Sequence, residues 1–167
     1  MIVFNLDDEA FSHQVAPMNV ARAYHSSTVA GRNLFVFGGQ DFMSSALASI
    51  EWCNPQNTPE GVCWNIVNTW SFTVRANSAF CAISKTEIMI AGGSRNDKTS
   101  ADIMVFHTKI KMATKKCEAP FAFLAPGQSF FEKNGCALSL IKGKGNEHHI
   151  MRYNAKTQNC ELLATYS

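Results

Sequence analysis

A pair of adjacent glycines closes an apolar strand twice in this chain of 167 residues, and this feature constrains the fold most strongly. Gly38-Gly39 follows the segment NLFVF, and Gly92-Gly93 follows EIMIA. Glycine destabilises the interior of a strand, so a glycine pair at a strand end predicts a sharp turn or a close approach of two backbones. Its recurrence after similar segments indicates an internal repeat.

The residues around the two glycine pairs repeat as well. An arginine precedes each pair, Arg22 by 16 residues and Arg75 by 17. An aromatic residue stands 14 residues after the first glycine of each pair, Trp52 in one copy and Phe106 in the other. Short apolar segments alternate with polar turns, and no helical period is present. We therefore predict a unit of four β-strands, with Trp64 on the fourth strand of the first copy.

Two weaker copies extend the repeat over the rest of the chain. Residues 126–145 contain the first two strands, but Gly143-Lys144-Gly145 replaces the glycine pair and the arginine is missing. Tyr153 is the aromatic residue of the next strand, and residues 1–18 match only the second half of a unit. We predict one all-β domain over residues 1–167, with a half unit and three full units at 1–19, 20–73, 74–124 and 125–167.

This unit resembles the kelch repeat, which forms one four-stranded blade of a β-propeller. The resemblance implies an all-β, kelch-type propeller of about three and a half blades, a partial propeller. It implies that the second strands, at 34–37, 88–90 and 138–141, are buried on both faces between blades. It also implies structural roles for the repeat residues, which are Arg22, Gly38, Gly39, Trp52, Trp64, Arg75, Gly92, Gly93, Phe106 and Tyr153.

The number of blades raises a problem of closure. Closed propellers contain about four to eight blades, so three and a half are too few to form a ring. Open strand edges and an uncovered face would favour aggregation. Missing sequence of a longer propeller, a second copy of this chain, or another chain would complete the ring, and we favour a fragment of a longer protein.

Composition argues against several classes of partner. The net charge of +2 gives no basic surface for nucleic acid, and the cluster KIKMATKK at 109–116 is predicted to be a solvated hairpin. No apolar segment is long enough to span a membrane. The six cysteines form no CxxC pair and are predicted to be reduced, which indicates a cytoplasmic protein, although a disulfide between Cys53 and Cys63 stays open.

The sequence contains no recognisable catalytic site. Neither a nucleophile with a supporting histidine nor a glycine-rich phosphate loop is present. Neighbouring side chains of a strand point to opposite faces, so His148-His149 is a poor metal site. We therefore expect no enzyme activity, no cofactor and no metal.

Function is then expected in the loops, where propellers vary. The resemblance implies that the loops after the second strands, together with the loops between blades such as 16–21, line one face. We predict a protein–protein interaction module, a scaffold or adaptor, that binds through Phe42, Met43, Trp70, Arg95, Asn96 and Asp97. Three alternatives stay open: Phe42 and Trp70 pack against neighbouring blades, the chain is a structural subunit of a large assembly, or it is an enzyme such as a sugar mutarotase or oxidase.

Overall fold

The computed structural model describes residues 2–5, 10–14, 16–55, 63–68, 76–95, 98–124, 131–142 and 146–166. These residues form strands, turns and loops, with no helix in any of the ranges just given. The strands are β1 Ile2–Asn5, β2 Ala10–Gln14, β3 Ser26–Ala30, β4 Asn33–Phe37, β5 Ser49–Cys53, β6 Asn65–Asn68, β7 Ala79–Ala82, β8 Glu87–Ala91, β9 Ser94–Arg95, β10 Lys98–Thr99, β11 Asp102–His107, β12 Met112–Glu118, β13 Phe131–Lys133, β14 Cys136–Lys142, β15 His148–Asn154 and β16 Asn159–Tyr166.

Twelve of these strands form three antiparallel sheets of four strands each. Sheet I contains β3 to β6, sheet II contains β7, β8, β11 and β12, and sheet III contains β13 to β16. In each sheet the chain passes from one strand to its neighbour in sequence order. The pairs β1–β2 and β9–β10 are separate two-stranded hairpins. The predicted all-β fold built from four-stranded units is confirmed.

Sheets I and II pack face to face through apolar side chains that alternate along their strands. Phe37 of β4 stacks on Phe80 of β7 with ring centroids 4.4 Å apart, and Phe106 of β11 meets Phe37 edge-on at 5.7 Å. All three rings are buried. Since offset and edge-on ring pairs add to the free energy of burial, this aromatic cluster holds the two sheets together.

A second apolar layer joins sheets II and III. Met89 of β8 and Val105 of β11 face Met151 and Tyr153 of β15 across this layer, and all four are buried. Burial of the Tyr153 ring raises the pKa of its hydroxyl to about 12, with smaller contributions from nearby thiols and Glu87. Tyr153 and Phe106 thus occupy matching positions in successive layers.

The glycine pairs adopt the backbone conformation that the sequence predicts. The φ angles are +56° and +89° at Gly38-Gly39, and +66° and +89° at Gly92-Gly93. A Cβ atom on Gly39 would lie 2.5 Å from the carbonyl oxygen of Ala23, and one on Gly92 would lie 2.6 Å from the Phe123 ring. Each pair therefore combines a turn with a close approach that a side chain would block.

The second strands differ in burial among the three sheets. In β4 and β8 the central residues are buried whichever face they point to. In β14, by contrast, the Leu140 side chain is 51% exposed while Ala137 and Ile141 are buried. The prediction that 138–141 is buried on both faces is therefore wrong, because the described core clusters bury only the face of sheet III that packs on sheet II.

The hairpin between β11 and β12 also departs from its predicted role. Lys109 and Ile110 are exposed, as expected of a solvated turn. Lys111 instead places its Nζ 4.5 Å from the centroid of the Trp52 ring and 5.3 Å from that of Phe35. Burial lowers the pKa of the Lys111 ammonium group. A cation–π contact therefore links the turn of sheet II to the aromatic residues of sheet I.

Candidate functional site

Two edges of the sheets are distinguished by the connections that leave them. The glycine edge carries the β4–β5 and β8–β11 loops, and the opposite edge carries the β3–β4, β7–β8 and β11–β12 turns. Sheets I and II are aligned with each other. The Asn77 amide donates to the Tyr24 carbonyl at the glycine edge, and Gly31 approaches Lys85 at the opposite edge. Of the predicted binding residues, Phe42 and Met43 lie in the β4–β5 loop at the glycine edge, and Arg95 lies in β9 within the β8–β11 loop.

A buried ion pair organises this edge in sheet I. Arg22 Nη2 lies 2.6 Å from Glu51 Oε1, and both side chains have no exposed area. Arg22 Nη1 also donates to the carbonyl oxygens of Gly38, at 2.8 Å, and of Ser49, at 3.1 Å. Arg22 thereby ties the entry of the sheet to the glycine turn and to β5.

Glu51 accepts further hydrogen bonds from the segment that precedes sheet I. The backbone amides of Asn19 and Val20 donate to its carboxylate at 2.7 Å and 3.0 Å. Burial alone would raise the pKa of the Glu51 carboxyl, but these hydrogen bonds and the one from Arg22 outweigh burial and hold the pKa below its usual 4.5. The sequence analysis missed Glu51, although a carboxylate between Ile50 and Trp52 in an apolar strand is a signal of a buried partner.

The segment 16–22, which we call the strap, lies over the outer face of sheet I. Trp64 Nε1 donates to the Ala16 carbonyl at 2.9 Å, and Met18 packs against the cluster that Val36 and Cys53 form with Trp64. Residues 16–21 were expected to be a loop between blades that lines one face. The structure adds that this segment is bound to the sheet, because Glu51 and Trp64 use its backbone groups as partners.

A cleft of about 550 Å³ remains beside the strap, lined by Pro17, Met18, Ala21, Arg22, His25, Ser27, Leu34, Val36 and Trp64. Its lining is mostly apolar. The guanidinium group of Arg22 is already bonded to Glu51. Of the polar atoms in the described residues, His25 Nδ1 is buried without a hydrogen-bond partner. The cleft therefore offers few free polar groups to orient a ligand.

The loop after the first glycine pair presents two apolar side chains to solvent. Phe42 is 95% exposed and Met43 is 72% exposed. The interpretation that Phe42 packs against a neighbouring blade is therefore wrong. Asp41 closes this loop, since its Oδ1 accepts hydrogen bonds from the amides of Met43 and Ser45, each at 2.9 Å.

Tyr24 belongs to the same surface and was missed by the sequence analysis. Ala23 pairs with Gln40 in an isolated bridge, which places Tyr24 beside the base of the loop. Tyr24 has φ +52° and is 66% exposed. Asn77 has φ +56° and follows a matching bridge between Ala76 and Ser94. Asparagine tolerates a positive φ better than tyrosine does, so the two copies differ here in the side chain they display.

Most of the other predicted binding residues lie outside the part of the chain that the structure describes. Trp70, Asn96 and Asp97 lie outside the described residues, as do Arg75 of the repeat and Gly143-Lys144-Gly145. Arg95 lies in β9, which pairs with β10. The described part of the binding surface therefore consists of Tyr24, Phe42 and Met43.

No metal-binding cluster of three or more His, Cys, Asp or Glu residues occurs within the described ranges. All six cysteines are free thiols, including the exposed Cys63 and the buried Cys53. His149 is bound to Thr165 at 3.0 Å and packs on the Phe121 ring, while His148 is exposed. The part of the chain that the structure describes also has no helix that could cross a membrane.

Comparisons with known proteins bear on the fold. A family model described as "Kelch motif" matches residues 21–58, which contain the strap end and the first three strands of sheet I. The solved structure titled "Structure of YjhT" superposes with a TM-score of 0.72 at 14% sequence identity, over 96% of this chain and 51% of that chain. The chain thus spans about half the length of that structure. A comparison with curated protein sequences found no match.

Proposed function

Because the chain carries a kelch motif and folds into blades of a kelch-type β-propeller, we propose that it is a protein–protein interaction module, and we assign it no catalytic role. The glycine edge is the proposed binding surface. The observation that carries the proposal is the exposure of Phe42 and Met43 on a hydrogen-bonded loop. A shared fold by itself does not select a function, so the proposal depends on the exposed residues of this edge.

The exposure of Phe42 and Met43 leaves free energy of burial available for binding a partner. Burying a Phe or Met side chain contributes about 1.5–3 kcal/mol each, and neither side chain contributes that free energy to the core of this chain. Aromatic residues are also the usual anchors of protein interfaces. A partner that covers Tyr24, Phe42 and Met43 would gain this free energy on binding.

The test uses photo-cross-linking at both edges of the sheets. A benzophenone amino acid replaces Tyr24, Phe42 or Lys98 at the glycine edge, and Ile110, which is 65% exposed, at the opposite edge. We expect one common protein to be cross-linked from the glycine edge and not from position 110. Cross-links from position 110 alone, or from no position, would contradict the proposed function.

A second candidate, a structural subunit of a larger assembly, is favoured by a different observation. Leu140 and Tyr166 of sheet III are 51% and 55% exposed, and Ile150 lies on the same face between them. In this case Leu140→Asp would reduce the size of the native assembly in sedimentation, whereas Phe42→Asp would leave it unchanged. The opposite pattern would assign the interaction to the glycine edge.

A further inference from the structure

We infer that residues 40–46 are a pre-formed apolar knob, recognised by a protein that has a concave apolar pocket, and that Asp41 is the residue that positions it. We call this segment the knob. The inference rests on the proposed function and names the kind of partner and the mode of binding. The closed turn, its fixed base, its projection and its charge support this inference.

The turn at the tip of the knob is closed by its own hydrogen bonds. Asp41 Oδ1 accepts from two amides, those of Met43 and Ser45. The Asp41 amide donates to the Ser45 carbonyl at 3.1 Å, and the Ser44 amide donates to the Asp41 carbonyl at 3.0 Å. Ser44 has φ +61°, a conformation that the closed turn must maintain. The backbone around Phe42 is therefore defined before any partner binds.

The base of the knob is joined to the sheet. Gln40 exchanges two backbone hydrogen bonds with Ala23, at 2.8 Å and 2.9 Å, and it also bridges to Ala46. The Leu47 amide donates to the Gly39 carbonyl at 2.9 Å. Because the loop is held at its base and at its tip, little conformational entropy remains to be lost on binding.

The tip projects from the sheet instead of folding onto it. Phe42 is 95% exposed, so almost no atom of this chain touches its ring. A convex turn with two adjacent apolar side chains makes extensive contact only with a concave surface. Such contact removes the ring from water on all sides, which is the environment of energetic hot spots.

The charge of the segment that contains the knob disfavours a lipid surface. Residues 33–74 contain neither lysine nor arginine, while Asp41 and Glu51 lie within this stretch. Attachment to anionic lipids relies on cations beside the apolar side chains. An apolar pocket on a protein, by contrast, requires no cation at the knob.

The experiment measures the affinity of the protein that is cross-linked through position 42, after that protein is purified. We expect Phe42→Ala to weaken binding roughly 30-fold, the loss typical of a hot-spot residue. Asp41→Ala should weaken it by a smaller factor of about 3–10, because the loop must then be ordered on binding. Asp41→Asn keeps the acceptor oxygen and should recover most of the affinity. Ile110→Ala, a matched exposed residue, should change nothing.

A second measurement tests the positioning role directly. In the free protein, Asp41→Ala should accelerate hydrogen exchange at the amides of Met43 and Ser45, and Asp41→Asn should not. If Asp41→Ala weakens binding as much as Phe42→Ala without this acceleration, Asp41 contacts the partner and its positioning role is overturned.

Other outcomes separate the knob from the proposed function. If a protein is cross-linked from positions 24 and 98 while Phe42→Ala has no effect, the interaction module stands and the knob is overturned. If no protein is cross-linked from the glycine edge, both the interaction module and the knob are contradicted. Co-sedimentation of the wild type, but not of Phe42→Ala, with phosphatidylserine-containing vesicles would replace the protein pocket by a lipid surface.

Discussion

Sheet I and sheet III are the same kind of four-stranded unit, yet the outer face of sheet I is covered and the outer face of sheet III is exposed. On sheet I, Val36 and Trp64 are buried beneath the strap, which the buried carboxylate of Glu51 binds through two backbone amides. On sheet III, Leu140 is half exposed and the ion pair of Arg152 and Glu161 lies in solvent. The four-stranded unit therefore does not cover its own outer face.

Buried polar partners account for the difference. The strap of sheet I supplies amides and the Arg22 guanidinium to a carboxylate that would otherwise be buried without partners. No arginine stands at the matching position before sheet III. A single charged residue on the outer face thus selects the segment that covers it.

The largest effect is expected from breaking the buried pair of sheet I. Glu51→Ala leaves the buried Arg22 charge without a counter-charge and two strap amides without a partner, so the free energy of unfolding should fall by about 3–5 kcal/mol. Arg152→Ala removes a solvent-exposed pair of sheet III and should cost about 0–1 kcal/mol. Chemical denaturation of the two variants gives both values. Equal losses would mean that burial does not distinguish the two faces.

Replacing a glycine should also destabilise sheet I more than sheet III. Gly39→Ala places a Cβ 2.5 Å from a backbone oxygen at φ +89°, whereas the Cβ of Gly135→Ala, at φ +77° in the β13–β14 turn, meets no atom within 4 Å. We expect about 1–2 kcal/mol of destabilisation for Gly135→Ala from its positive φ alone, and a larger loss for Gly39→Ala. Thermal unfolding of both variants measures the two losses of stability. A larger loss for Gly135→Ala than for Gly39→Ala would contradict the close approach of the backbones at Gly39.

Apolar truncations probe the coverage of the two faces directly. Val36→Ala removes buried methyl groups beneath the strap and should cost about 2 kcal/mol, from transfer and cavity together. Leu140→Ala removes more atoms but from a half-exposed side chain, so we expect a change within about 0.5 kcal/mol. Urea denaturation measures both. A cost at Leu140 equal to that at Val36 would show that the outer face of sheet III is covered in solution.

The smallest effect on the unfolding free energy is expected from lowering the pH. The folded-state pKa of Glu51 lies below its usual 4.5, so its stabilising contribution is fully present above that value. It is lost as the pH falls through the lower folded-state pKa, since the unfolded chain then binds the proton more readily. The unfolding free energy of the wild type should therefore decrease more steeply below pH 4.5 than that of Glu51→Gln. Parallel curves would contradict the role of the carboxylate.

The repeat and its strands could be predicted from the sequence because their signals are local. The continuous apolar runs in NLFVF and EIMIA and the glycine pairs that end them depend on neighbouring backbone angles and on side chains a few residues apart. For the same reason Phe42 and Met43, which directly follow a strand end, could be expected in a loop. Whether Phe42 packs or projects could not be predicted, since that depends on how far the adjacent sheet extends.

Local patterns thus determined that this chain forms four-stranded blades with glycine turns. The tertiary structure alone decided that Glu51 is the partner of Arg22, 29 residues away, that the strap covers sheet I, and that Lys111 of one sheet lies on Trp52 of another. It also decided that Leu140 stays exposed. These contacts join residues distant in sequence, and burial of charge and apolar area is a property of the packed sheets, which no short segment encodes.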